Sequence, residues 1–239
     1  MPSLLGQDSW NNPNYFADGL YWVTGFENGF TTPAGTQFFL AMFGGYAETN
    51  AYVSPDSPDE TPNVEWDSAG SPQNLVKPVI AHVTVDLAPG TQIYCKDGPK
   101  IGSYDLLVSL GGTGKVYGAV LAAALVGVDL VTSRTYTGIK EAWSEENASG
   151  TSASHTASGN ANDALFYVLA VKGAPAVTAS GTVLANLVST DGQCRVVFGW
   201  TSGTINPACS FSWSGSQYYS LATALVAGPL GGGQIAVIG

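Results

Sequence analysis

Residues Tyr117–Leu130 read YGAVLAAALVGVDL, and the secondary structure they adopt decides the fold class of this 239-residue chain. Leu121, Ala122, Ala123, Ala124 and Leu125 are strong helix formers, whereas Gly118, Gly127 and the valines at 120, 126 and 128 oppose a helix and suit a strand. The segment is predicted as a strand, with a short helix as the alternative. The apolar run Ala119–Val128 stops at Asp129 and is too short for the ~20 residues that span a bilayer, so no membrane span is expected.

Working outward, the preceding GGTGK at 111–115 resembles a fragment of a phosphate-binding loop. Such a loop needs Gly, four residues, then Gly-Lys-Ser/Thr opening a helix, so that amides hold the phosphates and the hydroxyl holds magnesium. Here Ser109 replaces the first Gly and Val116 the hydroxyl, so a hairpin turn between strands is predicted instead. Further upstream, VIAHVTVDL (Val79–Leu87) alternates Val79, Ala81, Val83 and Val85 against Ile80, His82 and Thr84, the period of a half-buried strand. Pro89-Gly90 and Asp97-Gly98-Pro99 read as turns bounding the strand TQIYC, and YDLLVSL from Tyr104 resumes the sheet. Downstream, ALFYVLAVKG, VTASGTVLANLV, CRVVFGW, SFSWSG and YYSLATALVAG are further short strand candidates.

This series predicts an all-β or mainly β protein, a sandwich of jelly-roll type or a small barrel. Residues 1–73 are expected to form an extended, acidic, aromatic-rich N-terminal arm, with a Pro-rich loop at 52–72. Residues 74–239 form the main β domain, which the small, polar, aperiodic segment 144–163 could divide as a long loop.

Charge excludes several functions. Eight basic residues stand against eighteen acidic ones, a net charge of -10, and no Lys or Arg precedes Lys77. A polyanion would be repelled, so direct nucleic-acid binding is not expected. The first residues, MPSLLGQDSWNNPNYF, lack the basic and apolar regions of a secretory signal, which points to synthesis in the cytoplasm and makes the acceptor-like Asn147-Ala148-Ser149 accidental.

Catalytic and metal chemistry find little to stand on. His82 and His155 are the only histidines, His82 in a strand and His155 in the polar loop, and no Gly-x-Ser-x-Gly elbow accompanies them. Asp56, Asp59 and Glu60 lack the alternation and Gly of a calcium loop and read as a solvated acidic loop. Cys95, Cys194 and Cys209 are too few and too widely spaced for a disulfide framework or zinc site. Cys194 and Cys209 could pair across a hairpin in oxidising conditions, but buried thiols are the simpler reading. No catalytic residue, cofactor or metal is predicted. Trp200 and Trp213 are candidates for stacking on a glycan, with core packing as the competing role.

One resemblance bears on function. The stretch Ala179–Gly199, ASGTVLANLVSTDGQCRVVFG, resembles the Gly-Thr-Val-Leu-(Ala/Gly) strand and following turn of head decoration proteins of tailed phages, and the composition is similar to that of phage virion proteins. The resemblance implies a non-enzymatic cement protein made in the host cytoplasm. Such a protein binds the outer capsid surface at symmetry axes, clamps major capsid protein subunits and is a homo-oligomer, a trimer by analogy. Trp10, Tyr15, Phe16, Tyr21, Trp22, Phe38 and Phe39 of the arm are the expected partner contacts. The alternatives are a tail-fibre or spike module binding a receptor glycan, and a secreted hydrolase.

Overall fold

A computed structural model describes residues 3–12, 22–24, 30–47, 64–66, 71, 73–82, 89–104, 106–108, 116–131, 136–189 and 192–229. Every regular element among them is a strand, and the protein is an all-β sandwich. The segment that decides the class is strand β11 (Val116–Val126), paired from Val116 to Leu125 with β4 (Phe38–Ala47) on one side and from Gly118 to Val126 with β1 (Ser3–Asn12) on the other. The short-helix alternative for 117–130 is therefore not realised. With β8 (Pro89–Asp97) and β7 (Val76–His82) they make a first antiparallel sheet in the order β1-β11-β4-β8-β7. Pro78 fits its outermost strand because it falls in the irregularity between Val76 and Val79, where a missing N–H interrupts no ladder bond. Pro89 and Gly90, expected to turn the chain, instead begin β8 opposite Tyr46 and Gly45.

The second sheet runs β12 (Ile139–Thr156), β17 (Ala208–Val226), β13 (Ala164–Lys172), β16 (Cys194–Ser202), β15 (Thr182–Val188), with β14 (Val177–Ala179) added to β17. The two sheets stack strand over strand: β7 on β12, β8 on β17, β4 on β13, β11 on β16 and β1 on β15. Phe38, Leu40 and Met42 of β4 and Leu121, Ala123 and Leu125 of β11 meet Phe166, Val168, Val196 and Phe198 in the space between. Gly44 belongs there because a Cβ on it would lie 2.5 Å from Val196 Cγ1, inside the packing distance of the facing sheet.

The opposite face of the first sheet is also buried: Phe39, Phe43, Val120, Ala122 and Ala124 are at most 1% exposed, and Phe30 packs its ring 5.6 Å from Phe39. A strand covered on both faces needs apolar residues at every position, which is why 117–130 lacks the period-two signal of a half-buried strand. Phe30 lies on β3 (Phe30–Thr32), which pairs with β9 (Gly102–Tyr104). A small third sheet orders β2 (Trp22–Thr24), β10 (Leu106–Val108), β5 (Val64–Trp66) and β6 (Gln73–Asn74). GGTGK lies outside the described residues. Its flanking strands β10 and β11 sit in different sheets and, among the described residues, do not pair with each other as the expected hairpin would require.

The segment 144–163, expected as a loop, is strand through Thr156. It escapes a sequence reading because its inward residues, Ala153 and Ala157, are as small as the serines and threonines facing water. β12 and β17 pair as one long ribbon, interrupted between Asn147 and Ser152, and there the ribbon doubles back over the second sheet. Trp213 Nε1 donates to the Gly150 carbonyl at 2.9 Å across this corner. The fold encloses a second core of Leu165, Tyr167, Leu169, Val171, Phe211 and Trp213. β17 accordingly changes pattern along its length: Ala208–Trp213 alternates exposed and buried, whereas Tyr219–Val226, between two cores, is buried throughout. The sequence therefore suggests two segments where the structure has one strand.

Candidate interaction surface

Packing has claimed several residues expected at a surface. Phe38 and Phe39 are fully buried on opposite faces of β4 and cannot be partner contacts of an arm; residues 38–47 are instead an inner strand of the first sheet. Trp10 lies opposite Val120 on β1 and Trp22 opposite Val108 on β2; their side chains, and all of Tyr15, Phe16 and Tyr21, fall outside the described residues. Trp213 is 7% exposed, with its indole N–H satisfied and its ring edge-on to Tyr219 at 5.2 Å, so it cannot stack on a glycan. Trp200 is half-buried against Phe166, ring centroids 5.5 Å apart.

Several of the described titratable groups make contacts that hold strands and turns together. His155 lies on β12, not in a loop: its ring stacks on Trp143 at 4.1 Å, and Nε2 donates to Glu141 Oε1 at 2.8 Å. The other Glu141 oxygen accepts from the Ser158 amide. His82 is on β7, its side chain outside the described residues. Asp163, 1% exposed, accepts two bonds from Lys140 Nζ and one each from the Asn160 and Gly228 amides. Burial alone would raise its pKa, but these hydrogen bonds and the Lys140 charge outweigh it and hold the carboxyl below its ordinary value. Lys172 Nζ sits between the Tyr46 and Tyr218 rings, 5.3 and 5.2 Å from their centroids. Tyr219, desolvated and donating to Glu145, has its pKa raised to about 12.

All three cysteines are buried and in no disulfide; desolvation pushes the Cys95 and Cys209 thiols up to about 12. Cys194 points into the core between the sheets and Cys209 into the core of the folded ribbon, so the sheet itself separates them and a disulfide is excluded. Among the described residues no three His, Cys, Asp or Glu gather as metal ligands. Asp56, Asp59 and Glu60 fall outside the described residues.

What faces solvent on the folded ribbon is a regular hydroxyl array that sequence reading missed. Ser152 of β12, Ser212 of β17 and Thr178 of β14 form one row across three strands. Ser154 and Ser210 begin a second, which Ser180 completes by accepting at Oγ from the Ser210 amide while its own amide donates back to the Ser210 carbonyl. All six are exposed, and Thr156 extends the face. Strand geometry spaces such rows roughly 6.7 Å apart and their members about 4.8 Å apart. Ser-x-Ser repeats in TSASHTASG and CSFSWSGS are the signal that could have revealed it.

Comparison with protein-family models and with curated proteins finds no match.

Proposed function

We propose that this chain is a non-enzymatic virion structural protein that attaches to the outer surface of a capsid as a decoration, or cement, protein. The observation that carries the reading is the rigid face of Ser and Thr on the β12–β17–β14 ribbon. A charged group loses much hydration on entering an interface, whereas a neutral hydroxyl costs less to desolvate provided that it pairs with partner backbone. A net charge of -10 is tolerated on a capsid exterior, which never touches the packaged genome. The resemblance of Ala179–Gly199 to phage head decoration proteins agrees with this role.

The test is a binding assay on capsid shells stripped of this chain. Wild type is expected to co-sediment with the shells, in copies numbering hundreds per particle on a virion gel. Ser154→Glu/Ser210→Glu, which places two like charges directly opposite each other on the face, is expected to remain folded and lose binding. A few copies per particle would point to a tail fibre or spike instead. That second reading has lost Trp213 as a sugar platform and retains only Trp200.

A further inference from the structure

We propose that Asn147 is an acceptor for N-linked glycosylation: in the folded protein its side-chain nitrogen takes a single sugar from a nucleoside-diphosphate sugar. Asn147-Ala148-Ser149 is the Asn-x-Ser acceptor motif with a central residue other than proline, and no other Asn of the chain stands two residues before a Ser or Thr. The want of a secretion signal counts against the motif only where the sugar comes from a secretory pathway; transfer from a nucleotide sugar needs none.

The motif lies where the β12–β17 ladder lapses. Asn147 is in register with Tyr219 and Gly150 with Gln217, so Ala148 and Ser149 together stand opposite Tyr218, a bulge that bends the strand into the corner of the ribbon. Asn147 and Ser149 are both exposed. The Ser149 amide donates to Asn147 Oδ1 at 2.9 Å, an Asx turn that brings the residue bearing the motif's hydroxyl alongside the carboxamide. A transferase has to grip those two groups together, and a turn formed in advance spares it the ordering cost of a flexible acceptor. The Asn147 carboxamide also bonds the Tyr219 hydroxyl, and the Ser149 hydroxyl bonds that of Ser216 across the corner, so both groups are held at the surface.

In the transfer the Nδ2 lone pair attacks the anomeric carbon of the sugar. A C–N bond forms as the C–O bond to the diphosphate breaks, the nucleoside diphosphate leaves with that electron pair, and Nδ2 gives up one hydrogen as a proton to a base of the transferase. Nothing in this step depends on attachment to a capsid.

The experiment incubates the full chain with UDP-glucose and a cytoplasmic N-glycosyltransferase that recognises Asn-x-Ser/Thr, and reads intact mass and the modified peptide. Folded wild type is expected to gain one hexose, at Asn147, at least as fast as a synthetic peptide of residues 143–153, in which the turn is not preformed. Asn147→Gln and Ser149→Ala are expected to gain none, and Ser149→Thr to gain one. Should Asn147→Gln fail to fold without its bond to Tyr219, the two Ser149 variants decide, since one keeps the hydroxyl and the other loses it. A folded wild type left unmodified or modified more slowly than the peptide, a hexose mapped to another residue, or an equal gain in Ser149→Ala would each overturn the proposal.

Discussion

His155 Nε2 donates to Glu141 Oε1 at 2.8 Å although the two lie fourteen positions apart on the same strand. Drawn out straight, those residues would span about 46 Å. The contact exists because the β12–β17 ribbon doubles back between Asn147 and Ser152, and with the Trp143–His155 stack it fastens the fold shut. The face proposed to meet the capsid is the outer side of this fastened ribbon.

Removing the fastener should loosen that face without dissolving the sandwich. His155→Ala is expected to cost about 1–2 kcal/mol, the combined scale of one aromatic stack and one partly exposed charged contact. Hydrogen exchange should quicken at residues 152–156 while the β4 and β11 amides keep their protection. Uniform acceleration across both sheets would contradict the latch.

Asp163 ties the turn before β13 to the Gly228 amide after β17. Asp163→Asn is expected to destabilise by about 3 kcal/mol near neutral pH, because Lys140 loses its carboxylate partner. A carboxyl whose folded pKa lies below its ordinary 3.8 contributes fully above that value, and the contribution disappears as pH falls through the folded pKa. The gap in melting temperature between wild type and variant should therefore be constant above about pH 5 and narrow in more acidic buffer. A gap that widened on acidification would show the sign to be wrong.

Tyr167 and Gly199 form a single fitting. The Tyr167 hydroxyl lies 3.0 Å from the Ser180 carbonyl and 3.3 Å from that of Thr182, and a Cβ on Gly199 would come within 2.3 Å of its oxygen. Tyr167→Phe is expected to cost about 1–2 kcal/mol, and Gly199→Ala about 2–3 kcal/mol through overpacking. Removing the hydroxyl relieves part of that clash, so the double variant should be less destabilised than the sum, as urea titration can measure.

The three thiols should be silent in the folded protein. With Cys95 and Cys209 pushed up to about 12 and all three buried, an aromatic disulfide reagent at pH 8 is expected to label none natively and three after unfolding, under oxidising conditions as well. A Cys194–Cys209 cross-link in mass spectra of the native protein would refute the placement of these residues on opposite sides of one sheet.

The strand identities of ALFYVLAVKG and CRVVFGW are legible locally, because apolar, β-rich runs bounded by turn residues leave few alternatives. At 117–130 the local signal is ambiguous, and the strand is imposed by pairing with β1 and β4 and by cover on both faces. At 144–163 it misleads, since small inward residues hide the alternation. The hydroxyl array has its period written in the sequence, yet its rows arise only when β14, β17 and β12 align in register.

Composition, turn chemistry and strand propensity thus determine by themselves that this chain is mainly β and poor in charge, and that its sequence carries no complete motif of a familiar catalytic site. Tertiary structure alone decides that Phe38, Phe39 and Trp213 are core, that Cys194 and Cys209 stand apart, and that one strand returns to touch itself. The physical reason is that a strand's propensity is a property of neighbouring residues, whereas which of its faces meets water depends on sheets assembled from residues far apart in the chain.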